Sequence, residues 1–371
     1  MTTRVTPAQL RDLARDVFAR CGLTDDDART AADVVCYADR HGFATHGVNA
    51  LVAIYAPRLR DGRINPAAEP QLVCETPAVA VLDGDGGLGL VTMTAAIDVA
   101  ARKARQHGAA AVAVRNSSHF GAAGYYTHRL ATAGLIGMAM SNCGEQGVVP
   151  PLGGALRMLG TNPLSAAVPA SRLAPFVLDM STTAVAAGRL NAARRDGHQV
   201  PVGWLVGHDG GDVTDPAAFY EGSADLAWLG GRLATGGAKG YGLALLVDLL
   251  CGPLAGAAHG PRSELLTSHG SPAEDRDIGH LALALDPAAF GDPSAIADRA
   301  QELLGVVAAC PPAAYATEVT YPGAPEAKRA LAADNDGVPL PDAVVAKLRE
   351  LAAELDVALP EALRDAEAVL P

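Results

Sequence analysis

Aromatic residues are scarce, 4% of 371 positions, whereas hydrophobic residues make up 49%. The core must therefore be aliphatic, and at this length the chain is comfortable for two domains. No apolar run matches the roughly 20 residues of a membrane helix. The longest, YGLALLVDLLCG (241–252), contains Asp248 and reads as a buried helix. A basic excess is missing too: 29 Lys and Arg stand against 41 Asp and Glu, a net charge of −12 spread along the chain. That argues against a nucleic-acid or anionic-membrane partner. The six cysteines (Cys21, Cys36, Cys74, Cys143, Cys251, Cys310) form no CxxC pair and no metal-ligand spacing, with no secretory segment ahead of them. Reduced thiols in a cytoplasm are expected.

What is present begins with helix signals. Thr6-Pro7-Ala8-Gln9 has the form of a capping box with proline at the first helical position, followed by Leu10, Leu13, Val17, Phe18 and Cys21 at helical spacing. Thr24 with Asp25, Asp26 and Asp27 starts a second helix running towards Asp39, so the N-terminus is a helical hairpin. From about residue 78 strands and helices alternate: AVAVLDG, a helix over TMTAAIDVAARKARQHG, AAVAVRN, a helix from about 123 to 134, LIGMAMSN, FVLDM (176–180) and HLALALD (280–286). Residues 341–366 return to helices.

Two features bear on chemistry. Gly84-Asp85-Gly86-Gly87-Leu88-Gly89 matches the GxGxxG dinucleotide fingerprint between a strand and a helix. Asp85 would put a carboxylate where a pyrophosphate belongs, and the next strand ends in Arg115-Asn116 rather than an acid for the ribose, so a tight structural turn competes with the nucleotide reading. The second feature is His119 in NSSHFGAAGYYTHRL (116–130), which can pack, bind a metal or move a proton. A metal is the weakest reading, since no second ligand lies at ligand spacing.

VRNSSHFGAAGYYTHRLATAGLIGMAMSN, LGTNPLSAAVP, VLDMSTTAVAAGRL, VPVGWL followed by TDP, GGAKGYGLALLVDLLCGPLAGA and YPG occur in one order, within a match that runs from about residue 5 to 355. Together they resemble the malate/L-lactate dehydrogenase family, which includes ureidoglycolate and sulfolactate dehydrogenases, diketogulonate reductase and piperideine-carboxylate reductase. The resemblance implies an α/β fold with a mixed sheet, a non-Rossmann site for NAD or NADP, and a helical domain built from both chain ends. The expected division is residues 1–75 and 311–371 for the helical part and 76–310 for the nucleotide-binding part, in a homodimer. It makes Gly84 to Gly89 a structural turn. It implies hydride transfer between nicotinamide and a small 2-oxo or 2-hydroxy acid, a related ketone or a cyclic imine. His119 would be the acid/base, a role suited to a side chain titrating near neutrality. Cys143, Asp179, Met180, Ser181 and Lys239 would contact the cofactor, with Arg276 and Asp277 in a loop close by. Lys239, in a glycine-rich segment at a helix start, is also compatible with a solvated surface lysine, and Asp179 with closing a turn.

The family's substrate motif, approximately D-x-R-G-x-x-S-H-G-x-x-R, is altered here to Asp39-Arg40-His41-Gly42-Phe43-Ala44-Thr45-His46-Gly47-Val48-Asn49-Ala50. Thr45 keeps a hydroxyl and His46 is retained, so both are expected near the substrate. The arginine that would pair with a substrate carboxylate is Ala50. Either Arg40 or another base replaces it, or the substrate lacks that carboxylate, or the fold has been recruited to non-redox work such as a lyase, isomerase or transferase reaction.

Overall fold

Strand β1 (Thr3–Val5) leads into helices α1 (Pro7–Arg20) and α2 (Asp25–Arg40) of the computed structural model, which describes residues 3–266 and 276–364. Thr6 and Gln9 form the reciprocal capping box, and Thr24 caps α2 with three aspartates in its first turn. Leu10, Leu13, Val17 and Phe18 are buried between the two helices, as their spacing requires. A broken helix follows: α3 (Val48–Ala50), a π-helical turn (Leu51–Tyr55) and α4 (Ala56–Arg60).

The central sheet has seven strands. Its first members are β2 (Gln71–Glu75) and β3 (Val79–Asp83); helix α5 (Gly89–His107) then crosses over to β4 (Ala109–Ser117). Helix α6 (Ala123–Thr132), β5 (Ile136–Ser141), β6 (Leu164–Val168) and β7 (Phe176–Met180) follow, then α7 (Ala187–Arg195). A small sheet of β8 (Leu205–Gly207), β9 (Asp212–Val213) and β10 (Ala224–Leu226) flanks α8 (Ala217–Tyr220). After α9 (Gly237–Cys251), β11 (Ile278–Leu285) enters the middle of the sheet, giving the order β2-β3-β4-β11-β5-β6-β7. Only β3 and β4 pair in parallel; the other neighbours are antiparallel. This is the expected mixed sheet and not a doubly wound parallel one.

Helices α10 (Pro293–Ala308) and α11 (Ala324–Asp336), strand β12 (Val338–Leu340) and helix α12 (Asp342–Leu355) complete the chain. Strand β12 pairs antiparallel with β1, and Arg40–Asp334 and Arg60–Glu354 ion pairs tie the two chain ends together. The sequence reading of 241–252 as a buried helix needs correction. Helix α9 packs Ala244, Val247, Asp248 and Cys251 inwards, but Leu246 and Leu249 are 48% and 59% exposed. A helix apolar all round has only one side met by the sheet.

Candidate functional site

The glycine-rich turn positions His119. Asp85 and Gly86 take left-handed backbone conformations, and the Asp85 carboxylate accepts from the Asn65 side chain and the Glu69 N–H, each at 3.2 Å, so it closes a turn. Any side chain on Gly89 would collide with the carbonyl oxygens of Ser118 and His119. Gly89 therefore lets the start of α5 press against the backbone that carries His119, and its N–H donates to Ser118 Oγ at 2.9 Å. That bond starts α5 three residues before the expected Thr92.

His119 lies just past β4. Tyr55 Oη lies 2.8 Å from its Nδ1, and the Gly121 N–H points to the same nitrogen at 3.4 Å. The Gly121 contact is long and a hydroxyl can donate or accept, so the neutral ring can carry its proton on Nε2 or, with Nδ1–H donating to Tyr55 Oη, on Nδ1. Nε2 has no protein partner among the described residues. Burial, then the neighbouring His46, Arg58 and His280, lowers the His119 pKa to about 3. The imidazole is thus neutral at rest.

His46 stacks parallel to His119, with ring centroids 5.7 Å apart, and its Nδ1 pairs with Thr45 Oγ1 at 3.0 Å. Burial lowers the His46 pKa to about 4. The loop bearing both is clamped from behind: the Asp39 carboxylate accepts from the Val48 N–H at 2.7 Å, and a side chain on Gly47 would strike that carboxylate.

One cavity of about 460 Å³ gathers Thr45, His46, His119, Cys143, Asp179, Met180 and Ser181 in its wall. Asp179 accepts from the Gly124 N–H at 2.7 Å at the start of α6, and burial raises its pKa to about 6. Burial also raises the pKa of the Cys143 thiol, so it presents a neutral, unreactive surface. Apolar Val185, Leu229 and Ile278 line the same cavity together with polar Asn142 and Thr161.

Lys239 and Arg276 stand outside this wall. Lys239 lies exposed in the first turn of α9, one residue before Gly240, which is packed against Thr182 and Leu229. Arg276 lines a separate cavity of about 450 Å³ with Arg58, Arg63 and Asn116. Ala50 is 1% exposed within the aliphatic core, and Arg40 holds Asp334 through Nε at 2.6 Å. Among the described residues, no group of three or more His, Cys, Asp or Glu is placed to hold a metal.

Two residues were not singled out from the sequence. Tyr55 reaches His119 because the π-helical turn adds a residue to one turn of an otherwise α-helical path. His280, fully buried on β11, pairs with Ser141 Oγ at 2.9 Å and Ser117 Oγ at 3.0 Å and stacks on Phe120 with centroids 5.0 Å apart. It joins the ends of β4 and β5, from which His119 and Cys143 emerge. The motif around His119 flagged the histidine; only the pairing of distant strands reveals what holds it.

The family model for malate/L-lactate dehydrogenase matches residues 5–349. The chain belongs to this family. L-sulfolactate dehydrogenase of Methanocaldococcus jannaschii is 34% identical over 94% of this chain and 96% of its own length. Ureidoglycolate dehydrogenase (NAD(+)) of Escherichia coli O157:H7 is 31% identical over 86% of this chain and 87% of its own. The crystal structure of malate dehydrogenase from Entamoeba histolytica superposes with a TM-score of 0.90 at 28% identity, covering 97% of this chain and all of that one. The family member described here is accordingly an NAD(P)-dependent oxidoreductase with the family's mixed α/β fold.

Proposed function

We propose that this dehydrogenase interconverts a small 2-hydroxy acid and its 2-oxo counterpart, or a related ketone or cyclic imine, with His119 moving the proton and Thr45 and His46 beside the substrate. The supporting observation is the neutral His119 imidazole, its Nδ1 held by Tyr55 and its Nε2 left to a cavity shared with Cys143, Asp179, Met180 and Ser181. Bound nicotinamide supplies or accepts hydride at its ring carbon four. In the oxidative direction His119 takes the hydroxyl proton on Nε2, from the neutral tautomer in which Nδ1–H donates to Tyr55 Oη. In the reductive direction it must first be protonated, and it then donates to the oxygen on which charge develops. Met180 and Ser181, with Cys143, would flank the nicotinamide; Lys239 at the start of α9 and Arg276 would serve more distant parts of the cofactor.

We further propose a cytoplasmic homodimer whose helical part, 1–75 with 311–371, and nucleotide-binding part, 76–310, share the work. All six cysteines are free thiols, and the exposed leucines of α9 offer an apolar face. No helix among the described residues is long and apolar enough to cross a membrane. The proposal of redox activity is tested by incubating the purified protein with NADH and with NADPH against 2-oxo acids, cyclic imines and neutral ketones. Stoichiometric cofactor oxidation with at least one is expected. A product formed without any change in nicotinamide redox state would replace it with the non-redox reading.

A further inference from the structure

A carboxylate-bearing substrate needs a cation, because a desolvated anion without a partner is costly to bury. The position at which the family resemblance places that cation is Ala50, sealed in the core. Its neighbours do not supply the charge. The Arg40 guanidinium is taken by Asp334, and His41 is 4% exposed, stacked on Tyr37 and kept neutral by burial, which lowers its pKa to about 4. His46 and His119 are neutral too.

One strongly basic side chain does line the cavity. Arg189, in the first turn of α7, is the only lysine or arginine among the described residues of its wall. Its guanidinium has no hydrogen-bond or ion-pair partner among the described residues. Helix α7 also lies where a substrate partner must be: a side chain on Gly188 would meet Thr45 at 3.1 Å, so the turn carrying Arg189 abuts the loop of Thr45 and His46.

We propose that Arg189 binds the substrate carboxylate in place of the arginine missing at Ala50, which narrows the substrate to one that bears a carboxylate. This rests on the redox reading for the substrate class but has a test of its own. The planar fork of a guanidinium can hold a carboxylate by two parallel hydrogen bonds, so it orients the acid as well as attracting it.

The test is calorimetric titration of the full-length protein, with NADH or NADPH present, using oxamate and its uncharged analogue oxamide. Arg189→Met is expected to weaken oxamate by at least about tenfold, with oxamide and cofactor affinity unchanged, and Arg189→Lys to recover part of the loss. Oxamate affinity within about twofold of wild type in Arg189→Met overturns the proposal, as does wild-type protein that binds no oxamate. Cofactor affinity falling together with oxamate also overturns it, by assigning Arg189 to the dinucleotide. A wild type that oxidises neither NADH nor NADPH with any 2-oxo acid, cyclic imine or ketone, yet loses oxamate binding on Arg189→Met, removes the redox reading and supports Arg189 as the carboxylate partner.

Discussion

The Tyr55 hydroxyl orients the His119 ring through its 2.8 Å hydrogen bond with Nδ1. Tyr55→Phe keeps the ring that fills the core and deletes only this hydroxyl. A neutral hydrogen bond contributes about 0.5–1.5 kcal/mol, so the fold should survive while kcat falls by about tenfold through misoriented imidazole; stopped-flow turnover alongside thermal melting separates the two. Because burial holds His119 neutral, reductive kcat/KM should climb by about tenfold for each pH unit of acidification near neutrality, whereas oxidation gains nothing from acid. His280 makes a pH-dependent stability statement. Burial lowers its pKa to about 3, against about 6.5 in the unfolded chain, so below about pH 6.5 the unfolded state binds a proton that the folded state refuses. Stability is lost as pH falls through that window, and about 2 kcal/mol is gone by about pH 5 from this residue alone. Urea unfolding of wild type and His280→Gln at neutral and mildly acid pH should show a shallower loss in the variant. At this scale the sequence exposed His119, His46 and Thr45 through their motif neighbours. It hid Tyr55 and His280, whose partners are 64 and 139 residues away.

Among elements, the N-terminal hairpin was legible because its signals are local: capping side chains, a proline at the helix start and apolar spacing all lie within one turn of where they act. The small sheet of β8, β9 and β10 and the β1–β12 pair were not, since strands of two or three residues carry too little alternation to register. The π-helical turn was likewise silent, because an inserted residue leaves no composition mark. The glycine-rich turn shows the opposite case, a clear local pattern with two meanings that the Asp85 hydrogen bonds and the approach of α5 to the His119 backbone resolve as a structural turn. Gly89→Ala should force α5 and the His119 strand apart. An overpacking cost of about 1–3 kcal/mol is expected, seen as a lowered unfolding midpoint with turnover lost more completely than stability.

For the whole molecule, aliphatic composition predicted a large core, and one continuous apolar cluster does run from α1 through α5 and the sheet to α12. Composition could not say which apolar helix faces outwards. The exposed Leu246, Leu249 and Leu254 on and after α9 are the strongest surface sign of a second copy. Leu249→Glu should convert a dimer to a monomer in sedimentation velocity, while a wild-type monomer at micromolar concentration would contradict the proposed assembly. Above all, the account stands on a proton passing through His119 within the shared cavity. The direct measurement is the single-turnover rate of cofactor oxidation by His119→Ala with an accepted substrate, taken with cofactor affinity by fluorescence titration. The rate should fall by about 10²–10⁴-fold with cofactor affinity unchanged; a variant as fast as wild type would contradict it.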